Sequence, residues 1–294
     1  MNTVYLGTSD FAAAVLRRLA GSAHRPALVV TRPDRPRGRG RKLAAPPVAD
    51  EARALELEVF QPASVNDEAA LAAIAAVEPE VVCVCAFGAL IKEPLLSAYP
   101  ILNVHPSLLP RWRGAAPVER ALMAGDDRTG VSIMRLTAGL DSGPVCLQEE
   151  LAIAPDDTYG TLAPRLSTVG GELLVRALEE SPECAEQAED GVTYAEKITA
   201  EDRLLDPDEP AAALERVVRA LTPHIGAHLA LDDGRLLGVR RARVVPGGPP
   251  NGVLSLNGPV PLLGCAIDSL ELLEVQPPGK RAISGEDYVR GYRP

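Results

Sequence analysis

A chain of 294 residues, 46% hydrophobic and 24% charged, has room for one large domain or two smaller ones, each with a buried core. Only 3% of its residues are aromatic, so that core is predicted to rest on Ala, Val and Leu. The net charge of −10, the lack of a basic and then apolar leader, and a longest dense apolar stretch of only Val81 to Ile91 disfavour a nucleic-acid partner, a secreted protein and a membrane-spanning protein in turn.

The first half alternates short apolar runs with helical patterns, which predicts an α/β domain with a Rossmann-like, mostly parallel sheet. "TVYLG" reads as a first strand, and "DFAAAVLRRLAG" as a helix capped by Ser9 or Asp10 and closed by Gly21. "PALVVT" is a second strand, followed by a basic loop and then by "PPVADEARALEL", a helix opened by proline. "EVFQP" is a short strand and "NDEAALAAIAAVEP" a helix, while "EVVCVCAF" and "ILNVH" suit central strands covered on both faces. "APVERALMAG" is helical, "GVSIMRL" and "PVCLQEELAI" form a strand pair around "TAGLDSG", and "TYGTLAPRLSTVGGELLVRALEE" is a long helix.

From Ser181 to Pro210 the periodicity fades among Pro, Glu and Asp. Beyond it "LERVVRAL" is a short helix, and Asp-Asp-Gly and Asn-Gly separate β-type runs as hairpin turns do. The expected organisation is a catalytic domain over 1–187, a linker over 188–206 and a small β-barrel, OB-like, over 207–294.

Charge is unevenly spread. Arg32 to Lys42 holds six basic residues against one acidic, a local +5, whereas Glu149 to Asp190 holds eleven acidic against two basic, a local −9. The five cysteines are odd in number and scattered, which predicts reduced core thiols rather than a disulfide framework.

"YLGTSDF" puts a Gly turn after the first strand, but the GxGxxG fingerprint is absent, so a capped strand-to-helix turn explains it better than a dinucleotide site. His224 and His228 have the spacing of a helical metal pair, yet Gly226 between them and the lack of a nearby third ligand favour packing histidines. Asn103 and His105 are different. They end an apolar run, alternation puts them on one face, and the C-terminal edge of a parallel sheet is where such proteins bind ligands. An amide and an imidazole there could donate to an oxygen that turns negative in acyl transfer. Asp141, thirty-six residues after His105, could hold the imidazole in one tautomer or protonation state. A satisfied histidine at a strand end is the equal alternative.

Asn103-x-His105, then "SLLP" at Ser107 to Pro110, then Asp141 in a Gly-rich turn, resembles the signature of the 10-formyltetrahydrofolate-dependent formyltransferase family. "RWRGAAP" (Arg111 to Pro117) is similar to the tRNA- and sugar-nucleotide-acting branches, and "TRPDRPRGRGRKLAAPPV" resembles a basic insertion of the tRNA-acting branch. "YAEKIT" and "LEVQPPGKRAISGEDYVRG" resemble that branch's C-terminal domain, so the resemblance runs from about Val4 to Gly291. It implies formyl transfer from 10-formyltetrahydrofolate, as co-substrate and without metal, to the amino group of methionyl-initiator tRNA for translation initiation, by a cytoplasmic monomer. It implies Asn103 and protonated His105 as oxyanion donors and Asp141 as the residue that orients His105. Folate is expected along Ser107, Leu108, Leu109 and Pro110, and along Phe87, Gly88 and Leu90, for which a buried strand end is the alternative. The tRNA is expected on Arg35, Arg37, Arg39, Arg41 and Lys42, with Arg39 in its Gly-Arg-Gly setting foremost. Arg241 and Arg243, which share a strand face by alternation, are a second expected contact.

Three departures stand out: Ser9 where the family usually has Pro, Pro207 where an Ile-Asp-Trp motif normally ends in Trp, and "VRALTPHIGAH" in place of a more aromatic stretch. The rival readings are a sugar-nucleotide formyltransferase, which would lack the basic insertion, and a binding protein without catalysis, which need not keep Asn103, His105 and Asp141 together.

Overall fold

A computed structural model describes residues 1–37 and 42–292, with the side chains of Arg37 and Lys42 left aside. In chain order the elements are β1 (Thr3–Gly7), α1 (Asp10–Ala20), β2 (Pro26–Val30), β3 (Arg35–Arg37), β4 (Lys42–Ala44), α2 (Pro47–Ala54), β5 (Val59–Phe60), α3 (Glu68–Ala76), β6 (Val81–Cys85), α4 (Leu95–Ala98), β7 (Ile101–His105) and β8 (Arg113–Gly114). There follow α5 (Pro117–Ala124), β9 (Arg128–Arg135), β10 (Val145–Ala152), α6 (Tyr159–Glu180), β11 (Tyr194–Ala195), α7 (Ala211–Leu221), β12 (Ala227–Ala230), β13 (Leu236–Val245), β14 (Leu254–Ser255), β15 (Leu262–Gly264), β16 (Ser269–Gln276), β17 (Ile283–Ser284) and α8 (Gly285–Tyr292). By packing they fall into two units. Met1–Gly114, Thr129–Ala152 and Ala163–Tyr194 form the first; Ala115–Arg128, Ile153–Leu162 and the chain from Ala195 onward form the second.

The first unit is built on a seven-stranded sheet of order β10-β9-β7-β6-β1-β2-β5. Pairing is parallel from β5 through β7, and β9 runs antiparallel to β7. Every residue of β1 is buried, as a strand covered on both faces requires. Val4 and Leu6 pack with Leu28, Val30, Val82, Val84 and Ile101 on one face. Tyr5 turns to the other, where its hydroxyl donates to the Ala12 carbonyl at 2.6 Å. Gly7 is required here, since a Cβ would come within 2.9 Å of Ala12 Cβ and 3.1 Å of the Cys85 carbonyl oxygen. Ser9 then caps α1 by accepting the Ala12 N–H at 3.2 Å, so the serine that departs from the family pattern has a structural task. Gly170 and Gly171 let α6 approach closely: a Cβ on Gly170 would meet Val104 Cγ1 at 2.9 Å and one on Gly171 would meet Arg18 Cβ at 2.7 Å.

In the second unit α7 lays Leu214, Val218 and Leu221 against Leu229, Leu237, Val239, Leu270, Leu272 and Val275. Those strands form an antiparallel sheet of order β12-β13-β16-β15-β14, with β17 also paired to β16, which is the small C-terminal β domain expected. No helix among the described residues is long and apolar enough to cross a membrane.

Two expectations are corrected. The basic segment is not a plain loop, because β3 and β4 pair antiparallel with Arg35 opposite Ala44 and Arg37 opposite Lys42. Nor are all cysteines reduced: Cys146 and Cys184 form a disulfide, while Cys83, Cys85 and Cys265 are free and buried. The cause is a return of the chain after α6, where Val145 and Ala185 exchange backbone hydrogen bonds at 2.8 and 2.9 Å and set the two cysteines side by side. A contact across 38 residues leaves no local mark in the sequence.

Candidate active site

β7 lies between β6 and β9, and alternation sends Asn103 and His105 to the same face near its C-terminal end. Both are buried, at 8% and 4% exposure. Past His105 the chain turns sharply and Trp112, at φ +63°, brings its carbonyl oxygen to 2.8 Å from His105 Nε2. Thr193 fixes this segment, accepting the Trp112 N–H at its hydroxyl and the Arg113 N–H at its carbonyl, both at 2.9 Å.

Asp141 arrives from the turn between β9 and β10. A Cβ at Gly143 would strike the Arg135 carbonyl oxygen, so that glycine of "GLDSG" is needed for the turn to close, whereas one at Gly139 would meet only the Ser142 hydroxyl, which can rotate away. Asp141 itself sits at φ +45°, in the left-handed region. Its Oδ2 accepts the Gly114 N–H at 2.9 Å and stands 3.7 Å from His105 Nδ1. The structure therefore brings Asn103, His105 and Asp141 into one unit, on one side of one sheet edge. His105 faces an acceptor at each ring nitrogen, and among the described residues no protein group hydrogen-bonds the Asn103 side-chain amide. A buried amide with both its donors unused, beside an imidazole held by the Trp112 carbonyl and 3.7 Å from a carboxylate, is equipped to hold an oxygen that gains negative charge.

The chain matches two families in succession: Formyl transferase over residues 1–178 and Formyl transferase, C-terminal domain, over 197–293. The methionyl-tRNA formyltransferase of Acidithiobacillus ferrooxidans is 44% identical over 301 aligned positions, covering 99% of this chain and 96% of its own. The chain belongs to the formyl transferase family, among the methionyl-tRNA formyltransferases. Members of that family are formyl-transferring enzymes, and so is this chain. Two solved structures share its fold. One is a methionyl-tRNA formyltransferase from Clostridium thermocellum (TM-score 0.62, 14% identity, 83% of this chain and 94% of that one). The other is HypX from Aquifex aeolicus in complex with tetrahydrofolic acid (TM-score 0.66, 16% identity, 98% of this chain and 47% of that one).

Against that formyltransferase background the expected folate residues divide by exposure. Ser107 is buried and donates to the Arg111 carbonyl at 2.6 Å, Leu109 is buried, and Leu108 and Pro110 are partly exposed. Ser132 holds this turn, donating to the Ser107 carbonyl at 2.6 Å and accepting the Leu109 N–H at 3.1 Å, and Gln148 donates to the Leu109 carbonyl at 2.8 Å. The Phe87 ring lies in the core cluster, whereas Gly88, at φ +71°, and Leu90 are exposed.

Of the expected tRNA residues, Arg35 is exposed on β3, while Arg39 and Arg41 lie outside the described residues, as do the side chains of Arg37 and Lys42. Arg241 and Arg243 both point outward from β13, as alternation requires, and Arg243 is paired to Glu271 Oε2 at 2.5 Å. His224 and His228 do not share a helix: His224 bonds Glu119 at 2.9 Å and stacks on Tyr159, while His228 is on β12. Among the described residues no cluster of three His, Cys, Asp or Glu gathers as metal ligands. Sequence reasoning missed Ser132, Gln148 and Gln187, amide and hydroxyl groups whose partners lie far along the chain.

Proposed function

We propose that Asn103, His105 and Asp141 carry formyl transfer from 10-formyltetrahydrofolate to the amino group of methionyl-initiator tRNA. The observation that supports this most is the Asp141 carboxylate 3.7 Å from His105 Nδ1, with the unpaired Asn103 amide on the same strand face. The α-amine ionises at about 8 in water and attacks in its neutral form, which a desolvated site favours. Attack on the formyl carbon gives a tetrahedral centre whose oxygen is negative. Asn103 donates to that oxygen, and His105 does so when its ring carries a proton on each nitrogen and turns one from the Trp112 carbonyl. Asp141 orients the ring and helps route the proton lost by the amine toward N10, which takes it up as its bond to the formyl carbon breaks.

Folate is placed by this reading against the Ser107–Pro110 turn, with Leu108 and Pro110 offering surface, and against Phe87 to Leu90 through the exposed Gly88 and Leu90. The formyl group is already activated by its nitrogen, so the chemistry asks for no metal. The basic stretch of sequence that carries Arg35, Arg37, Arg39, Arg41 and Lys42 takes the acceptor end of the tRNA, and Arg241 and Arg243 add a contact from the barrel-type domain. Catalysis resides in the segment expected at 1–187, with 188–206 as linker and 207–294 as tRNA-binding domain, in a cytoplasmic monomer.

The deciding assay supplies 10-formyltetrahydrofolate with charged initiator tRNA or with an amino-sugar nucleotide. Formylation of the tRNA alone, lost on the order of 100- to 1,000-fold in Asn103→Ala and His105→Ala with the fold intact, is the expected result. Near-normal turnover by His105→Ala overturns the assignment, and formylation of the sugar nucleotide in preference overturns the acceptor.

A further inference from the structure

Gln187 lies in the acidic stretch that follows α6, where sequence periodicity fades, yet its side-chain amide has no idle atom. Its Oε1 accepts from Arg113 Nε at 2.9 Å and Nη2 at 2.7 Å. Its Nε2 donates to the Asp141 carbonyl and the Gly143 carbonyl, each at 2.8 Å. One amide thus joins the two pieces of chain that define the Asp141 carboxylate. Arg113 immediately precedes Gly114, whose N–H holds Oδ2, and the Asp141 and Gly143 carbonyls belong to the turn that presents it.

Asp141 occupies the left-handed backbone region, which aspartate enters more readily than most non-glycine residues, and the turn keeps that conformation with the carbonyls of residues 141 and 143 both hydrogen-bonded. The Gln187 donors grip the carbonyls of that residue and of Gly143. The segment carrying Gln187 is itself secured, by the Cys146–Cys184 disulfide three residues upstream and by the backbone bonds between Val145 and Ala185.

We propose that Gln187 is a positioning residue for Asp141, setting the carboxylate against His105 by tying the 141–143 carbonyls to Arg113. It touches neither substrate and acts through Asp141, so the inference rests on the catalytic role proposed for that residue. Glu in its place keeps the acceptor oxygen that faces Arg113 and replaces the two N–H donors of Nε2 with a single oxygen that repels the Asp141 and Gly143 carbonyls. Asn keeps both functions but is one methylene too short to span the gap.

The test measures kcat and both KM values for Gln187→Glu, Gln187→Asn and Asp141→Ala, and for Gln187→Glu combined with Asp141→Ala, together with hydrogen exchange at the Gly114 amide. The expected outcome is a tenfold or greater loss of kcat in Gln187→Glu, a smaller loss in Gln187→Asn, and KM values within twofold of the parent. The Gly114 amide should exchange faster in both. In the Asp141→Ala background Gln187→Glu should cost nothing further, because a residue that works through another adds no loss once that residue is gone. A purely structural role would lower the residual rate again and raise KM. If Gln187→Glu fails to fold, Gln187→Asn and the Gly114 exchange carry the test. Parent-like kcat in the folded glutamine variants, or an additive loss in the double variant, overturns the proposal. An active Asp141→Ala enzyme overturns instead the catalytic reading beneath it.

Discussion

The Asp141 oxygen that accepts the Gly114 N–H at 2.9 Å is the same one that stands 3.7 Å from His105 Nδ1. One backbone donor therefore aims the carboxylate at the imidazole. Asp141→Asn keeps the size of the side chain but not the arrangement. With its oxygen toward Gly114 it loses the negative charge beside the ring, and with its NH2 there it opposes one donor with another. The expected loss in kcat is on the order of 100-fold or more, with an unchanged far-ultraviolet dichroism spectrum. A turnover number within tenfold of the parent would remove Asp141 from the machinery.

How much of this was legible in the sequence follows from how local each signal is. Asn103 and His105 could be read because strand alternation and the end of an apolar run are properties of five consecutive residues. Asp141 could be offered as their carboxylate because the two glycines around it announced a tight turn, and the family resemblance then tied it to them. Gln187 could not, because its partners are Arg113, Asp141 and Gly143, and nothing within its own neighbourhood differs from a polar connecting segment. The β3–β4 ribbon was hidden for a related reason. Pro36 between Arg35 and Arg37 looks like loop composition, and only the pairing of Arg35 with Ala44 and of Arg37 with Lys42 makes β3 and β4 a two-stranded ribbon. Phe87 shows the converse, since a strand-end phenylalanine next to a glycine reads equally as lining or as core, and its ring packs in the core while Gly88 and Leu90 beside it are exposed.

The Cys146–Cys184 bond closes a loop of 38 residues, and on chain-entropy grounds such a link restricts the unfolded ensemble by roughly 3–4 kcal/mol. Thiol titration of the denatured, unreduced protein is expected to count three groups, Cys83, Cys85 and Cys265, and five after reduction. In the folded protein Cys83 and Cys85 should stay silent, since burial pushes both thiols up to about 12 and leaves no reactive thiolate. Cys146→Ser should lower the unfolding midpoint by several degrees. Five thiols in the unreduced denatured protein would show the pair to be open.

Asp202 and Arg120 form a bidentate pair within the second unit, at 2.7 and 2.9 Å, both partly exposed. The Arg120 hydrogen bonds, helped by the Thr199 N–H and hydroxyl, hold the Asp202 carboxyl down at about 2 against a partial cost of burial. A carboxyl depressed by folding stabilises the protein above its ordinary value of about 4, and that stabilisation disappears as pH falls through the depressed value. Asp202→Asn is therefore expected to cost on the order of 1 kcal/mol near neutrality, allowing for solvent screening of a partly exposed pair. Denaturant titrations of parent and variant should converge between about pH 4 and pH 2. A gap that persists unchanged to acid would assign the loss to packing rather than charge.

The two proposed tRNA contacts should differ in weight, because one is electrostatically free and the other is not. Arg35 is exposed and has no side-chain partner among the described residues, so its charge is available to a phosphate. Arg243 already shares its guanidinium with Glu271 through Nε at 2.9 Å and Nη2 at 2.5 Å, and Arg241 faces Glu274 across the ladder. A phosphate approaching β13 must compete with carboxylates that repel it, which weakens that site relative to the ribbon. Arg35→Ala is expected to raise KM for charged tRNA several-fold and to reduce the dependence of log affinity on log salt by about 0.7. Arg243→Ala should change neither by more than about twofold, and Glu271→Gln, which frees Arg243, should tighten tRNA binding at low salt and steepen the salt dependence by up to about 0.7. Salt titration of tRNA binding on the three variants decides it. An Arg243→Ala loss equal to or larger than that of Arg35→Ala would move the principal contact from the ribbon to the C-terminal sheet.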